Sequence, residues 1–265
     1  MENKLTDAVP VPPFWQRNRV KAADFFINVD FSVIYEDEDI LLVEKPAPLA
    51  VHPVGSYFEL NLHTLMKKDP RWLDSKIHFT HRLDAETSGL ILVAKNYESA
   101  RFLGIEFMNS RVKKTYEALV FGTPKEAKGE INLPLGRDLS SGFQTVRIAD
   151  FETGEAASTR YELIETLGEY SRLKLEPLTG RTHQLRAHLA LIGHPIVGDK
   201  IYIDLNIFRR YVIEGMDAAM IARIKLRRQA LHATSLQFTH PRTKEIVMFH
   251  SPSPKFIEDV LKVAA

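Results

Sequence analysis

The sequence predicts an α+β fold, a mixed, largely antiparallel central sheet flanked by helices. Three observations lead there. Strand-like runs come in adjacent pairs without helical crossovers, as in FSVIYE followed by ILLVE and RYELIETL followed by SRLKLEPL. Helical periodicity is confined to a few short segments. No internal repeat or low-complexity tract interrupts the pattern.

Residues 1 to about 28 read as an extension, because Pro10, Pro12 and Pro13 resist regular structure. Phe14, Trp15, Phe25 and Phe26 suggest that it packs on the rest. Strands begin at Phe31, and FSVIYE and ILLVE flank an acidic turn at Asp37, Glu38 and Asp39. KPAPLAVHP holds three prolines and must be a loop or an edge. Asn61 is placed to cap a short helix, LHTLMKK, that ends before Pro70. FTHRLD and GLILVAK are extended pieces joined at Ala85 to Ser88, and a helix follows from Tyr97 to Asn109. KKTYEALVFG alternates as a strand does, and INLPLG, RYELIETL and SRLKLEPL continue the sheet. THQLRAHLALIG is helical, with Leu185, Leu189 and Ile192 at i, i+4 and i+7. A second helix is expected over 217–229. LHATSLQF and EIVMFH form strands joined by THPRTK, and 254–265 has the apolar side of a short terminal helix.

With 265 residues and 45% hydrophobic composition, the chain supports one large domain or two small ones. Lys and Arg total 35 against 34 Asp and Glu, so the net charge is +1 and the chain is no global polycation. It has no cysteine, which excludes disulfides, thiolate zinc sites, iron–sulfur clusters and a cysteine nucleophile. The start lacks a secretory pattern, and no apolar run approaches the ~20 residues of a membrane helix. The expectation is a soluble, cytoplasmic protein.

Several chemistries find no support. Neither G-x-x-x-x-G-K-[ST] nor G-x-G-x-x-G occurs. His183, His188 and His194 are five and six residues apart, which does not stack them on one helical face; they are expected to cap, pack or hydrogen-bond. Ser88 lacks the glycine two residues earlier that a nucleophile elbow needs.

Two polar clusters stand where strands and helices end. In His81-Arg82-Leu83-Asp84, followed by Thr87-Ser88-Gly89, a carboxylate lies beside small hydroxyls and a glycine, the composition of a turn that exposes Asp84. Alone, such an Asp more often accepts bonds from the turn's own N–H groups. In Gly180-Arg181-Thr182-His183-Gln184, Gly180 lets the chain turn into a helix and Thr182 is a candidate cap. Arg181 and Leu185, four apart, are expected to share one helical side.

HRLDAETSGLILVAK (81–95) resembles the signature of the RluA-type pseudouridine synthases. Four other blocks are similar to that family, in order: YEDEDILLVEKPAPLAVHP (35–53), KKTYEALVFG (113–122), GRTHQLRAHLALIGHPIVGDKIY (180–202) and LHATSLQFTHP (231–241). The resemblance covers nearly everything from 31 to 250 and implies an RNA uridine isomerase. It divides the chain into an N-terminal extension, 1–30, packed on a catalytic domain, 31–265.

The resemblance also implies roles. Asp84 matches the essential aspartate that engages the ribose side of the target uridine. Tyr116 matches the tyrosine that stacks on the uracil, and Arg181 the basic residue that pairs with the carboxylate. Leu185 matches the aliphatic wall, and Arg82 the arginine that fills the stack vacated by a flipped nucleotide. His81 and Thr87 belong to the same block, with structural and loop-shaping parts. The chemistry agrees with these roles. Breaking N1–C1′ and rejoining through C5 oxidises nothing, so no cofactor and no metal are implied. The sugar develops positive charge, which a carboxylate can stabilise, trap as an ester, or relieve by taking a ribose proton. The partner implied is structured ribosomal or transfer RNA, with no membrane, no obligatory protein partner, and a monomer. A non-catalytic RNA binder would have no need of Asp84, Tyr116 and Arg181 together. A glycosidase using Asp84 and Glu86 would place its acids too close in sequence to flank a bond.

Two departures matter. About 30 residues before the first block are too few for the separate RNA-binding domain that many relatives carry, and Pro48 stands where many have glycine. Local charge revises the global balance. Residues 181–228 hold nine Lys and Arg against four acids, a net of +5, whereas 30–44 hold six acids and no base. The expectation is a basic RNA face around Asp84, with 203–230 as a candidate RNA contact.

Overall fold

A computed structural model describes residues 26–73, 75–252 and 260. The expected packing of Phe14, Trp15 and Phe25, and the terminal helix over 254–265 apart from Val260, lie outside the described residues; Phe26, also expected to pack, is instead 71% exposed. In chain order the elements are β1 (Ser32–Glu36), β2 (Ile40–Lys45), α1 (Leu62–Lys68), β3 (His78–Phe79), β4 (Ser88–Ala94), α2 (Tyr97–Met108) and β5 (Lys113–Phe121). Then come β6 (Lys128–Asn132), β7 (Leu135–Arg137), β8 (Arg147–Ala149), β9 (Ser158–Leu167) and β10 (Tyr170–Pro177). Last are α3 (Gln184–Leu191), α4 (Leu205–Glu214), α5 (Ala218–Ile224), β11 (Leu231–Thr239) and β12 (Ile246–His250). The α+β class holds, with a mixed and largely antiparallel sheet. Among the described residues no helix is long and apolar enough to cross a membrane.

The chain separates into two compact units. One holds Ala118–Ala230; the other holds Ile27–Glu117 with the strand pair that starts at Leu231. The boundary falls inside β5.

In the Ile27–Glu117 unit the strand order is β1-β2-β4-β11-β5. β1–β2, β2–β4 and β11–β12 run antiparallel, and β4–β11 run parallel. β4, SGLILVA, is buried along its whole length, as a near-continuous apolar run covered on both faces should be. Ile40, Leu42, Leu90, Leu92, Leu103 and Phe238 make its core. Asn61 Oδ1 accepts the Thr64 N–H at 3.0 Å and Asn96 Oδ1 accepts the Ser99 N–H at 2.8 Å, capping α1 and α2. The KPAPLAVHP segment is a loop with a cis Ala47–Pro48 bond. The acids of 36–39 are internally paired: Glu36 with Lys95, Asp37 with His240, and Glu38 and Asp39 with Arg242.

In the Ala118–Ala230 unit the order is β5-β10-β9-β6, with β9–β10 and β6–β9 antiparallel. β7 and β8 form a separate antiparallel ribbon, and α3 lies against β8, β9 and β10. The helix expected over 217–229 is shorter. Asp217 caps α5 through the Met220 N–H at 2.7 Å, and the helix stops at Ile224 because Lys225 turns left-handed (φ 73°). The preceding helix, α4, closes at Gly215 (φ 88°).

Gly89 sets the closest strand approach. Its φ is +112°, and a Cβ there would stand 2.3 Å from the Ala233 carbonyl oxygen. Gly104, inside α2, has nothing within 4 Å of its would-be Cβ. Gly89→Ala is therefore expected to lose about 3 kcal/mol or more of stability. Gly104→Ala should gain about 0.5–1 kcal/mol. Urea unfolding of the two variants beside the parent checks both signs.

Candidate active site

The strand-to-strand turn at Asp84 is built by its neighbours. His81 Nε2 accepts the Leu92 N–H at 3.0 Å, and its ring stacks on Phe107 with centroids 4.9 Å apart. Leu83 is buried, so Arg82 projects to solvent and Asp84 is left half-buried. The Asp84 carbonyl accepts the Thr87 N–H at 3.1 Å and closes the turn, with Thr87 buried behind it. The Ala85 carbonyl accepts the Leu49 N–H at 2.8 Å and Lys45 Nζ at 3.2 Å. Lys45 is 0% exposed and also donates to the carbonyls of Leu49 (2.7 Å) and Pro46 (2.9 Å). Just past the turn, Ser88 Oγ meets His232 Nδ1 at 2.8 Å. His232 Nε2 meets Ser251 Oγ at 2.9 Å, and that hydroxyl donates to Glu44 at 3.0 Å.

Tyr116 stands on β5, 8% exposed. Burial, and then the Asp84 carboxylate, push its phenol well above the usual range, so it keeps its proton at neutral pH. It presents a ring face and an O–H donor close enough to Asp84 to feel its charge. Burial and the Lys114 ammonium lower His81 to about 3, so it is a neutral acceptor in this frame.

The second cluster belongs to the other unit. The sequence placed Thr182 as the cap of a helix whose one side would hold Arg181 and Leu185. Neither feature forms. α3 starts at Gln184, and its N-cap is His183 at φ +56° with no side-chain cap bond. Gln184 Oε1 instead accepts the Arg181 N–H at 2.9 Å and the Thr179 hydroxyl at 2.7 Å. Arg181 thus precedes the helix. Its guanidinium bonds Glu155 at 2.6 Å and the Ala156 carbonyl at 3.1 Å. Leu185 is buried in the first turn of α3. Arg186 makes a two-pronged, buried pair with Asp199, at 2.6 and 2.9 Å. His183 bonds the Tyr202 hydroxyl, His188 bonds Thr159 and the Leu133 carbonyl, and His194 bonds the Phe121 carbonyl. The structure thus gathers Asp84, Tyr116, Arg82, His81 and Thr87 in one unit, and Arg181 and Leu185 in the other.

Lys45, His232, Ser251 and Asp199 were not singled out from sequence, and Gln184 only as the last residue of the second cluster. Lys45 left a signal: a cation ending a strand, ILLVEK, that is apolar over its first four residues, just before a proline-rich loop. His232 left less, since a histidine inside LHATS reads as any strand residue. Among the described residues one group, Asp37, Asp39 and His240, brings metal-capable atoms within 4.8 Å of one another. It is already consumed. Asp37 accepts from Tyr35, His240 and two backbone N–H groups, and Asp39 accepts from Arg242, Asn96 and Ser99.

The local charge count also changes meaning. Arg186 and Lys200 are buried, and Arg210 is paired with Glu214 and Asp217. The acids in these pairs are already subtracted in the +5 of 181–228; beyond them, Arg181 is offset by Glu155 and Lys200 is enclosed. Arg223 and Arg227 remain exposed.

The RNA pseudouridylate synthase family model matches residues 39–191. Ribosomal large subunit pseudouridine synthase D of Blochmanniella floridana is 35% identical over 90% of this chain and 73% of its own. The protein of that name from Escherichia coli K12 is 34% identical over 89% and 71%. The solved structure titled human RNA pseudouridylate synthase domain containing 1 is 29% identical, covers 85% of this chain and 84% of that one, and has a TM-score of 0.66. The chain belongs to the RNA pseudouridylate synthase family, of the RluA type. It is a pseudouridine synthase acting on RNA.

Two expected outcomes follow from the turn. Lys45→Met strips a charged donor from three carbonyls in a dry site and should lower unfolding free energy by about 2–4 kcal/mol in urea titrations. For His81, the ordinary value of 6.5 falls to about 3 on folding. The unfolded chain therefore takes up a proton that the folded chain refuses, and stability falls as pH drops below about 6.5. His52, His63 and His188 are lowered too and act with the same sign. His81→Gln keeps an acceptor for Leu92 and should flatten the urea midpoint between pH 6 and 5, by up to about 1.4 kcal/mol per pH unit.

Proposed function

We propose that this protein converts specific uridines of ribosomal large-subunit RNA to pseudouridine, breaking the N1–C1′ bond, turning the uracil and rejoining it through C5. The observation that carries this is the Asp84 carboxylate on a closed turn, half-buried and within electrostatic reach of the buried Tyr116 phenol. The names of the relatives support the choice of RNA. Transfer RNA is the second substrate class, and the test separates the two.

In this reading Asp84 answers the positive charge that grows at C1′ as the glycosidic bond opens. Tyr116 gives the loosened uracil a ring face, and its retained proton makes the hydroxyl a donor to the base rather than a base itself. Leu185 supplies an apolar wall and Arg181 a fixed positive charge. Arg82, exposed two residues from Asp84, fills the helix stack when the nucleotide flips, a step that takes about a few kcal/mol. His81 and Thr87 hold the turn. Residues 31–265 make up the catalytic domain, preceded by an extension at 1–30, and the reaction needs no cofactor or metal. The protein works as a cytoplasmic monomer.

Tritium release from RNA labelled at uridine C5 is the test. The parent should release tritium from transcribed large-subunit ribosomal RNA. Asp84→Asn should release at least about a thousand-fold less while binding the same RNA. Release from transfer RNA alone moves the substrate, and equal release by the variant removes Asp84 from its role.

A further inference from the structure

In the unit that holds Asp84, three aromatic side chains from three segments meet. His52 comes from the loop after β2, His63 from the first turn of α1, and Phe79 from β3. Their ring centroids form a triangle with sides of 5.9, 5.3 and 5.8 Å. The rings cross at 48°, 74° and 55°, so they do not cover one another's faces by parallel stacking. His52 is exposed, and His63 and Phe79 are partly so.

These two histidines differ from most others in the chain. His81, His183, His188, His194, His232 and His240 each hydrogen-bond through a ring nitrogen. Among the described residues no side-chain hydrogen bond engages the ring nitrogens of His52 or His63. Their rings therefore offer both a face and an unused donor or acceptor. Partial burial, with the nearby charges of Arg82 and Lys67, holds both below their ordinary value, so the rings are neutral at pH 7. Arg82 and Lys67 are themselves exposed.

Neutral, at least partly exposed rings, flanked by two cations, match the chemistry of an unpaired nucleotide: a π-face to stack, an edge to hydrogen-bond and phosphates to neutralise. We propose that His52, His63 and Phe79 form a stacking subsite for an unpaired base of the RNA strand near the target uridine, with Lys67 on its phosphate. The word "target" rests on the Asp84 reading; the binding itself does not.

The test is filter binding of transcribed large-subunit ribosomal RNA across a salt series, which needs no turnover. His52→Ala with His63→Ala should bind about five- to thirty-fold more weakly, at an unchanged salt slope, because stacking releases no counterions. His52→Phe with His63→Phe should recover most of the loss. Lys67→Ala should instead flatten the slope by somewhat under one, roughly 0.7–0.9. His52→Ala alone, at an exposed position, serves if the double variant does not fold. Binding that is absent, indifferent to ring removal, or weakened without rescue by phenylalanine overturns the proposal. Tritium release at saturating RNA should keep the parent kcat in these variants. A fallen kcat with intact binding places the rings in the chemistry and also overturns it. A parent that binds with ring dependence yet releases no tritium sinks the Asp84 reading and leaves the subsite standing.

Discussion

A buried ammonium holds the site together. Lys45 ends β2 with no exposed surface, and its three N–H bonds go to carbonyls that no strand satisfies, those of Pro46, Leu49 and Ala85. Enclosing a charge is strongly unfavourable unless its donors are all used, and enclosing under-bonded carbonyls is unfavourable as well. Each defect cancels the other, but only in one geometry: the proline-rich loop must fold back and the Asp84 turn must sit over the end of β2. The turn is thus fixed from below by electrostatics rather than by its own short span.

The strands constrain the same turn from the side. Lys45 lies opposite Gly89 in the β2–β4 register, and Gly89 lies opposite Ala233 in the β4–β11 register. Because a side chain at Gly89 would strike the Ala233 carbonyl, β11 comes as close as backbone allows. That approach brings His232 to Ser88 and starts the buried run through Ser251 to Glu44. Asp84 is four residues from Ser88, on a turn whose two ends are both anchored. The interior polar bonds leave the Asp84 turn little looseness.

What was legible in the sequence followed from local rules. Continuous apolar runs named the buried strands, and Asn61 before LHTLMKK named a cap that the structure makes as expected. What was not legible depended on distant partners. Thr182 has the right chemistry to cap α3, yet Gln184 takes over because Thr179 and Ser158 stand within reach. The one-sided pattern of Leu185 and Leu189 hid that Gln184, Arg186 and His188 are buried as well, each matched by a polar group from elsewhere. The end of α5 at Lys225 is a left-handed residue that no glycine announced. The family blocks carried Asp84 and Tyr116 into view, whereas Lys45 and His232 emerge only when their hydrogen bonds are traced.

Charge shows the same limit in a sharper form. A count along the sequence assigns a basic segment and an acidic one, and a nucleic-acid enzyme invites the first to be its RNA face. In the fold, Arg186 is enclosed with Asp199 and Arg210 is shared by Glu214 and Asp217. The acids at 36–39, for their part, are bonded to Lys95, His240 and Arg242. The acidic run is largely spent on architecture, whereas Arg223 and Arg227 of the basic run stay exposed; among the described residues, the unit that holds Asp84 also carries exposed Arg82 and Lys67, beside the rings of His52, His63 and Phe79. A protein of net charge +1 then has little long-range pull on RNA. A stacking contact adds grip that does not depend on net charge.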